Sequence, residues 1–389
     1  MMTTSQTRRQ ALRTVGVGSA LALEGSWGWA KAPKKPPQVA ARWLAWDTFR
    51  QQFISKEGRV VDIGSPRSQT FSEGQSYALF FALVAGDKEA FEKVLNWTEN
   101  NLCGGDMTAR LPAWLWGRRD DDTWGVLDSN SASDSDLWIA YALGEAGRLW
   151  DDRRYRALSS LISARILREE TATLPILGLS LLPAAKGFAE IPGRWRLNPS
   201  YMPLQLMRWF SANESDPRWK LLTESSLKII KGSAPKGFAP DWIIFDAQQG
   251  FLPDLGGSEK GQGAYNAIRV YLWAGMLHLQ APERPGLLAT LTPMDRFVRD
   301  NGHPPESIDI LSGKADRPGP PGFSAAILPF LDAIGDKSTL QMQLNRLQAK
   351  PLRQDEYYGQ VLSLFGRGWI DGFYRFAVNG RLLPQWGPL

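Results

Sequence analysis

The stretch SEGQSYALFFALVAGDKEAFEKVLNWTENNL, residues 72–102, carries two helical patterns separated by a two-residue break at Gly86-Asp87. The spacing predicts helices over 72–86 and 88–102. Ser72 before Glu73, and Asp87 before Lys88-Glu89-Ala90-Phe91, are start signals, because short oxygen-bearing side chains accept from the free N–H groups of a first turn. A break this short folds the second helix back on the first as an antiparallel hairpin.

The same grammar recurs along the chain. Patterns at 41–55, 135–148, 151–168, 200–212, 216–231, 264–280, 283–299, 323–334, 337–349 and 354–365 bring the total to about twelve predicted helices. Asp216-Pro217 before Arg218 is a further start, and Ala281-Pro282 a further short break. Strand-like alternation is sparse. Six hairpins imply an all-α fold, either a solenoid or a closed ring, and the lack of a fixed repeat period makes closure the more economical reading. No composition break interrupts residues 38–389, so one domain is expected there, long enough to bury a large core.

Charge divides unevenly. The 389 residues hold 45 Lys plus Arg against 40 Asp plus Glu, a net +5 that would suit an anionic partner if it formed one face. It does not: residues 1–36 contain Arg8, Arg9, Arg13, Lys31, Lys34 and Lys35 against Glu24 alone, leaving 39 charges of each sign behind them. No nucleic-acid partner is expected. Thr7-Arg8-Arg9-Gln10-Ala11-Leu12-Arg13 precedes a modestly apolar stretch, Val15 to Ala30, and small residues at Ala30-Lys31-Ala32. Residues 1–37 thus resemble a twin-arginine export signal followed by a Pro33, Pro36, Pro37 linker, and imply a periplasmic or secreted protein. The bland alternative is a disordered basic tail. No later segment is apolar enough to predict a membrane span. A single cysteine, Cys103, excludes an intrachain disulfide framework, and two histidines, His278 and His303, cannot supply a three-His metal site. Neither a metal nor a cofactor is expected, and catalysis falls to carboxylates.

The chain holds 17 Trp, many predicted in loops or at helix ends: Trp114, Trp116, Trp124, Trp195, Trp209, Trp242, Trp369 and Trp386. Flat rings in a groove stack on the apolar faces of sugars, whereas any single Trp is more often a half-buried structural residue. The excess favours a carbohydrate groove. Three segments carry candidate chemistry. Phe71-Ser72-Glu73-Gly74-Gln75-Ser76-Tyr77 places Glu73 at a helix mouth, where a first-turn acid is also favoured by the helix dipole. Asp128-Ser129-Asn130-Ser131-Ala132-Ser133-Asp134-Ser135-Asp136 sets two acids two residues apart, with ordinary N-capping as the competing role. Gly261-Gln262-Gly263-Ala264-Tyr265-Asn266-Ala267-Ile268-Arg269 puts Tyr265, Asn266 and Arg269 on an otherwise apolar helix, to anchor it or to line a pocket.

Together these segments resemble glycoside hydrolase family 8, over nearly all of residues 38–389, and within it the branch associated with bacterial cellulose synthase. The family's aspartate signature is matched by Ala132-Ser133-Asp134-x-Asp136-x-x-Ile139-Ala140-x-Ala142-Leu143-Gly144-x-Ala146-x-x-x-Trp150, with Ser135 as the one departure. Ser72-Glu73-Gly74-Gln75-Ser76-Tyr77 looks like the segment of the proton donor. Leu111-Pro112-Ala113-Trp114-Leu115-Trp116, Asn198-Pro199-Ser200-Tyr201, Pro235-Lys236-Gly237-Phe238 and Gly322-Phe323-Ser324-Ala325-Ala326 are similar to further stretches of that branch. The resemblance implies an (α/α)6 barrel and an inverting endo-β-1,4-glucanase (cellulase) acting on β-1,4-glucan chains, although related members cut xylan, chitosan or mixed-linkage glucan. It also implies a role beside the cellulose synthase secretion complex. Glu73 is then the expected acid, with an apolar or acidic neighbourhood to keep it protonated. Asp134 is expected to grip a sugar hydroxyl, Arg269 and Tyr265 to frame the cleavage subsite, and Trp114, Trp116, Trp124 and Tyr201 to be stacking platforms.

One position departs from the family pattern. The water-activating base of its larger branch is an Asp where this chain has Asn266, and an amide offers no basic lone pair near neutral pH. Another carboxylate, with Asp134, Asp246 and Asp254 as suspects, would have to act. Otherwise the chain is a glucan-binding accessory protein with weak or no hydrolysis.

Overall fold

The computed structural model describes residues 42–387 apart from Pro66. The expected export signal lies outside the described residues. Twelve α-helices occur among them, each overlapping a predicted one: α1 (Leu44–Phe53), α2 (Ser72–Ala85), α3 (Lys88–Leu102), α4 (Ser133–Leu149), α5 (Arg153–Glu169) and α6 (Leu204–Asn213). The second half adds α7 (Arg218–Gly232), α8 (Ile268–Met276), α9 (Arg284–Asn301), α10 (Pro321–Ile334), α11 (Lys337–Ala349) and α12 (Tyr357–Ile370).

Even-numbered helices form an inner ring in which α2, α4, α6, α8, α10 and α12 pack in succession, and the odd-numbered ones pack outside. The ring closes where Phe365 of α12 meets Phe80 (stacked, 5.5 Å) and Phe81 (edge-on, 4.6 Å) of α2. Inner helices are buried on nearly every side, as α2 is from Gly74 to Val84, so they read as apolar all round and not as amphipathic stripes. Their close approach needs small residues. A Cβ at Gly366 of α12 would stand 1.8 Å from the Ala325 carbonyl oxygen of α10, and one at Gly275 of α8 would stand 2.2 Å from the backbone of Pro329 and Phe330.

The strands are too short to have shown a period of two. A three-stranded antiparallel sheet, β1 (Thr70–Phe71), β2 (Leu115–Arg118) and β3 (Trp124–Asp128), leads directly into α2. The C-terminal hairpin, Tyr374–Phe376 with Leu382–Pro384, packs Tyr374 and Phe376 against Phe80. It is tied to α4: Tyr141 Oη donates to the Gly380 carbonyl oxygen at 2.8 Å, and buried Glu145 accepts from Leu382 N at 2.7 Å and Trp209 Nε1 at 2.6 Å. Among the described residues no helix is long and apolar enough to cross a membrane.

Candidate active site

Inner helices α2, α4, α8 and α12 each turn their N-terminal ends toward one cavity of about 330 Å³. Its lining includes Glu73 from α2, Asp134 from α4, Tyr201 just before α6, Asn266 and Arg269 at the start of α8, and Tyr357 and Tyr358 from α12. The N-terminus of α8 starts four residues later than its sequence pattern suggested. Asp241 is the reason: its Oδ1 accepts the N–H groups of Ala264 (2.7 Å), Asn266 (3.0 Å) and Ala267 (2.7 Å), holding 264–267 as a turn that presents Tyr265 and Asn266 to the cavity.

Arg269 organises the floor. Its side chain is buried, and Nη1 hydrogen-bonds the Glu73 carboxylate and Tyr77 Oη (3.0 Å), with Asp134 Oδ2 at 3.6 Å. Nη2 donates to Ser200 Oγ (3.1 Å) and Asn266 Oδ1 (2.6 Å). Ser200 is set by Asn198 Oδ1, which accepts from its N–H at 3.0 Å and its hydroxyl at 2.7 Å. A planar guanidinium can fill five such directions at once, which an ammonium cannot.

The two expected acids differ in exposure and proton affinity. Glu73 has a side chain 26% exposed to the cavity, against 4% for Asp134. Burial pushes the Asp134 carboxyl up to about 7; Arg269 opposes this and the Glu73 charge reinforces it. Its Oδ1 accepts from Ser135 N at 2.7 Å, while Oδ2 has no donor among the described residues. The neighbourhood expected around Glu73 is therefore corrected: a guanidinium touches Glu73, and it is Asp134 that burial favours in the protonated form. Asp134 is no N-cap either, since that position is Ala132.

The aromatic candidates scatter. Trp114, Tyr201 and Tyr265 line the cavity. Trp116 and Trp124 stand outside it on β2 and β3, stacked at 5.2 Å with the Arg59 guanidinium 4.4 and 4.8 Å from their rings. Trp124 is 47% exposed. Trp209 and Trp369 are buried in the core, and Trp386 stacks on Trp150, so these three are structural. Asp246 and Asp254 do not reach the cavity: Asp246 pairs with Arg194 at 2.7 Å and Asp254 with Arg196 at 2.6 Å. Sequence reasoning missed Asp62, Tyr357 and Tyr358, which line the cavity, and Tyr77 and Ser200, which hold Arg269. Tyr77 and Ser200 were within reach, because both stand inside stretches that resemble the family.

A ring of paired helices, with carboxylates, one buried arginine and aromatic rings at the mouths of its inner helices, defines a carbohydrate-cleaving class of protein. The model of glycosyl hydrolases family 8 matches residues 19–372, and the chain belongs to that family. It is 48% identical to an endoglucanase of Salmonella typhi over 350 residues, 90% of this chain and 93% of that one. A crystal structure of an endo-1,4-D-glucanase from Vibrio fischeri superposes with a TM-score of 0.85 at 47% identity, covering 88% of this chain and 99% of that one. The endo-β-1,4-glucanase CMCax from Acetobacter xylinum gives 0.69 at 27% identity over 83% of this chain and 96% of that one.

Proposed function

We propose that the protein is an endo-β-1,4-glucanase that cuts internal bonds of glucan chains with inversion. The observation that carries the reading is the pairing, through Arg269, of a cavity-facing Glu73 with a buried Asp134. The guanidinium and two carboxylates are neutral when they share one proton. Burial favours that proton on Asp134 in the free protein, and Glu73, the more open of the two, is placed to take it up and deliver it to a glycosidic oxygen. Tyr201 and Trp114 flank the same space and can stack on sugar rings. The Salmonella typhi endoglucanase at 48% identity and the Vibrio fischeri endo-1,4-D-glucanase at 47%, each over about nine-tenths of this chain, support a β-1,4-glucan substrate.

The leader containing Arg8-Arg9 supports export by the twin-arginine route to the periplasm or beyond, where the enzyme would trim nascent cellulose beside the synthase secretion complex. A second reading, a glucan-binding protein with little hydrolysis, is favoured by Asn266, whose oxygen is already occupied by Arg269. Reducing-sugar release from soluble carboxymethyl-cellulose separates the two. Wild type is expected to be active, and Glu73→Gln on the order of 10²–10⁴-fold slower. If wild type is as inert as Glu73→Gln while Asn266→Asp cuts, the binding reading replaces the hydrolase.

A further inference from the structure

We propose that Asp62 is the carboxylate that activates the attacking water in this cavity. The proposal rests on the glucanase reading above. Asn266 cannot take a proton, and its Oδ1 accepts from Arg269. Three carboxylates line the cavity: Asp62, Glu73 and Asp134. Glu73 and Asp134 both lie against Arg269, whereas among the described residues no cation pairs with Asp62. The Asp62 carboxylate is met by backbone N–H groups alone, Gly64 at 3.0 Å from Oδ1 and Ser65 beside it, with no side-chain donor among the described residues. A carboxylate that a guanidinium neutralises is a poor proton acceptor; Asp62 keeps its basic lone pairs.

Its mounting is rigid and shared with the acid. The segment carrying Asp62 is strapped to α2: Val60 N donates to buried Gln75 Oε1 at 2.6 Å, Thr70 Oγ1 to Val60 O at 2.7 Å, and Asp62 N to Gln69 O at 3.0 Å. Gly74, next to Glu73, makes room for this arrangement, because a Cβ there would stand 2.4 Å from Tyr357 Oη and 3.3 Å from Val60 Cγ1. Asp62 and Glu73 thus line the same cavity, near enough that the Glu73 charge adds to the burial that raises the Asp62 pKa. In the step, the water oxygen bonds to the anomeric carbon and its proton passes to Asp62. The anomeric carbon–oxygen bond breaks toward the leaving sugar, whose oxygen takes through Glu73 the one proton that Glu73 and Asp134 share, and the new hydroxyl is α.

The test compares wild type, Asp62→Asn, Asp62→Ala and Glu73→Gln on carboxymethyl-cellulose and on 2,4-dinitrophenyl β-cellobioside, whose leaving group needs no proton. Asp62→Asn is expected to lose about 10²–10⁴-fold in kcat on both, with KM and the thermal midpoint little changed. Azide is expected to restore Asp62→Ala and to yield the α-cellobiosyl azide, since a small anion fits the vacated space and needs no base. Glu73→Gln should fail on carboxymethyl-cellulose alone. Substantial activity in Asp62→Asn, or Asp62→Ala that azide does not rescue, overturns the assignment while leaving the glucanase reading intact. Wild type inert on both substrates overturns both.

Discussion

Replacing Asp136 by Asn should make this protein more stable at alkaline pH and change little at acid pH. Asp136 of α4 is fully buried, neither of its side-chain oxygens has a donor among the described residues, and it faces Glu170, also fully buried. Ser131 Oγ donates to Glu170 Oε1 at 2.5 Å. Two carboxylates in contact inside a core cannot both ionise. Burial first, and the Glu170 charge second, push Asp136 well above the usual carboxylate range, and burial pushes Glu170 up to about 8. Both folded values lie above the unfolded ones, so the native state binds protons that the unfolded chain releases. The resulting stability is complete below the unfolded values, near pH 4, and is lost as pH rises through the folded ones. For one carboxyl moving between its ordinary 4.5 and about 8, at about 1.4 kcal/mol per pH unit, the span is on the order of 5 kcal/mol. An Asn keeps the shape, donates to Glu170 and removes one titrating group. Urea unfolding at pH 5, 7 and 9 should therefore show wild type weakening steadily and Asp136→Asn converging with it only at pH 5. Equal slopes for the two proteins, or a wild type whose stability is flat between pH 5 and 8, would refute the shared-proton account. Glucan hydrolysis should survive the change, because Asp136 does not line the cavity.

Two further outcomes follow from the geometry. Glu145→Ala strands Trp209 Nε1, Leu382 N and the Arg148 guanidinium (2.5 Å), and should cost about 3–5 kcal/mol by urea unfolding; a loss under about 1 kcal/mol would mean that the C-terminal hairpin is held otherwise. Trp124→Ala removes an exposed ring, so the melting temperature should barely move while KM for long glucans rises several-fold and that for cellotriose does not; equal effects on both lengths would take Trp124 off the glucan path.

The helices were legible from their periodicity, with local announcement at only some of them: Ser72, expected to start α2, makes no capping bond, and Phe71 takes that position. Asp87, Asp152 and Asp336 cap α3, α5 and α11 through their own side chains, accepting from N–H groups within the first turn. The strands were not, since runs of two to five residues owe their pairing to partners as distant as Trp116 is from Thr70. Within the site, Glu73, Asp134 and Arg269 were recognisable from their motifs, and the structure brings them together. Asp62 was invisible: it sits in an undistinguished Val60-Val61-Asp62 run, and only the strap onto Gln75 and Gln69 delivers it to the cavity. The Trp excess misled in part, because indole N–H groups in the core found acceptors of their own, as Trp209 does in Glu145 and Trp273 does in the Ser200 carbonyl oxygen.

The architecture explains how three carboxylates can share one small cavity with a single arginine. Helices α2, α4, α8 and α12 present their N-termini there, each equivalent to roughly half a positive charge, and these ends offset acids that would otherwise repel one another. The offset falls with depth, because burial penalises charge more steeply than a helix end rewards it. Asp134, at 4% exposure, is consequently pushed up to about 7 while Glu73 remains open to the cavity. One ring of parallel inner helices thus supplies both a proton-holding acid and an accessible one from chemically similar side chains. Both acids are the second residue of their helices, so the distinction between them is set by burial and not by distance from the helix end.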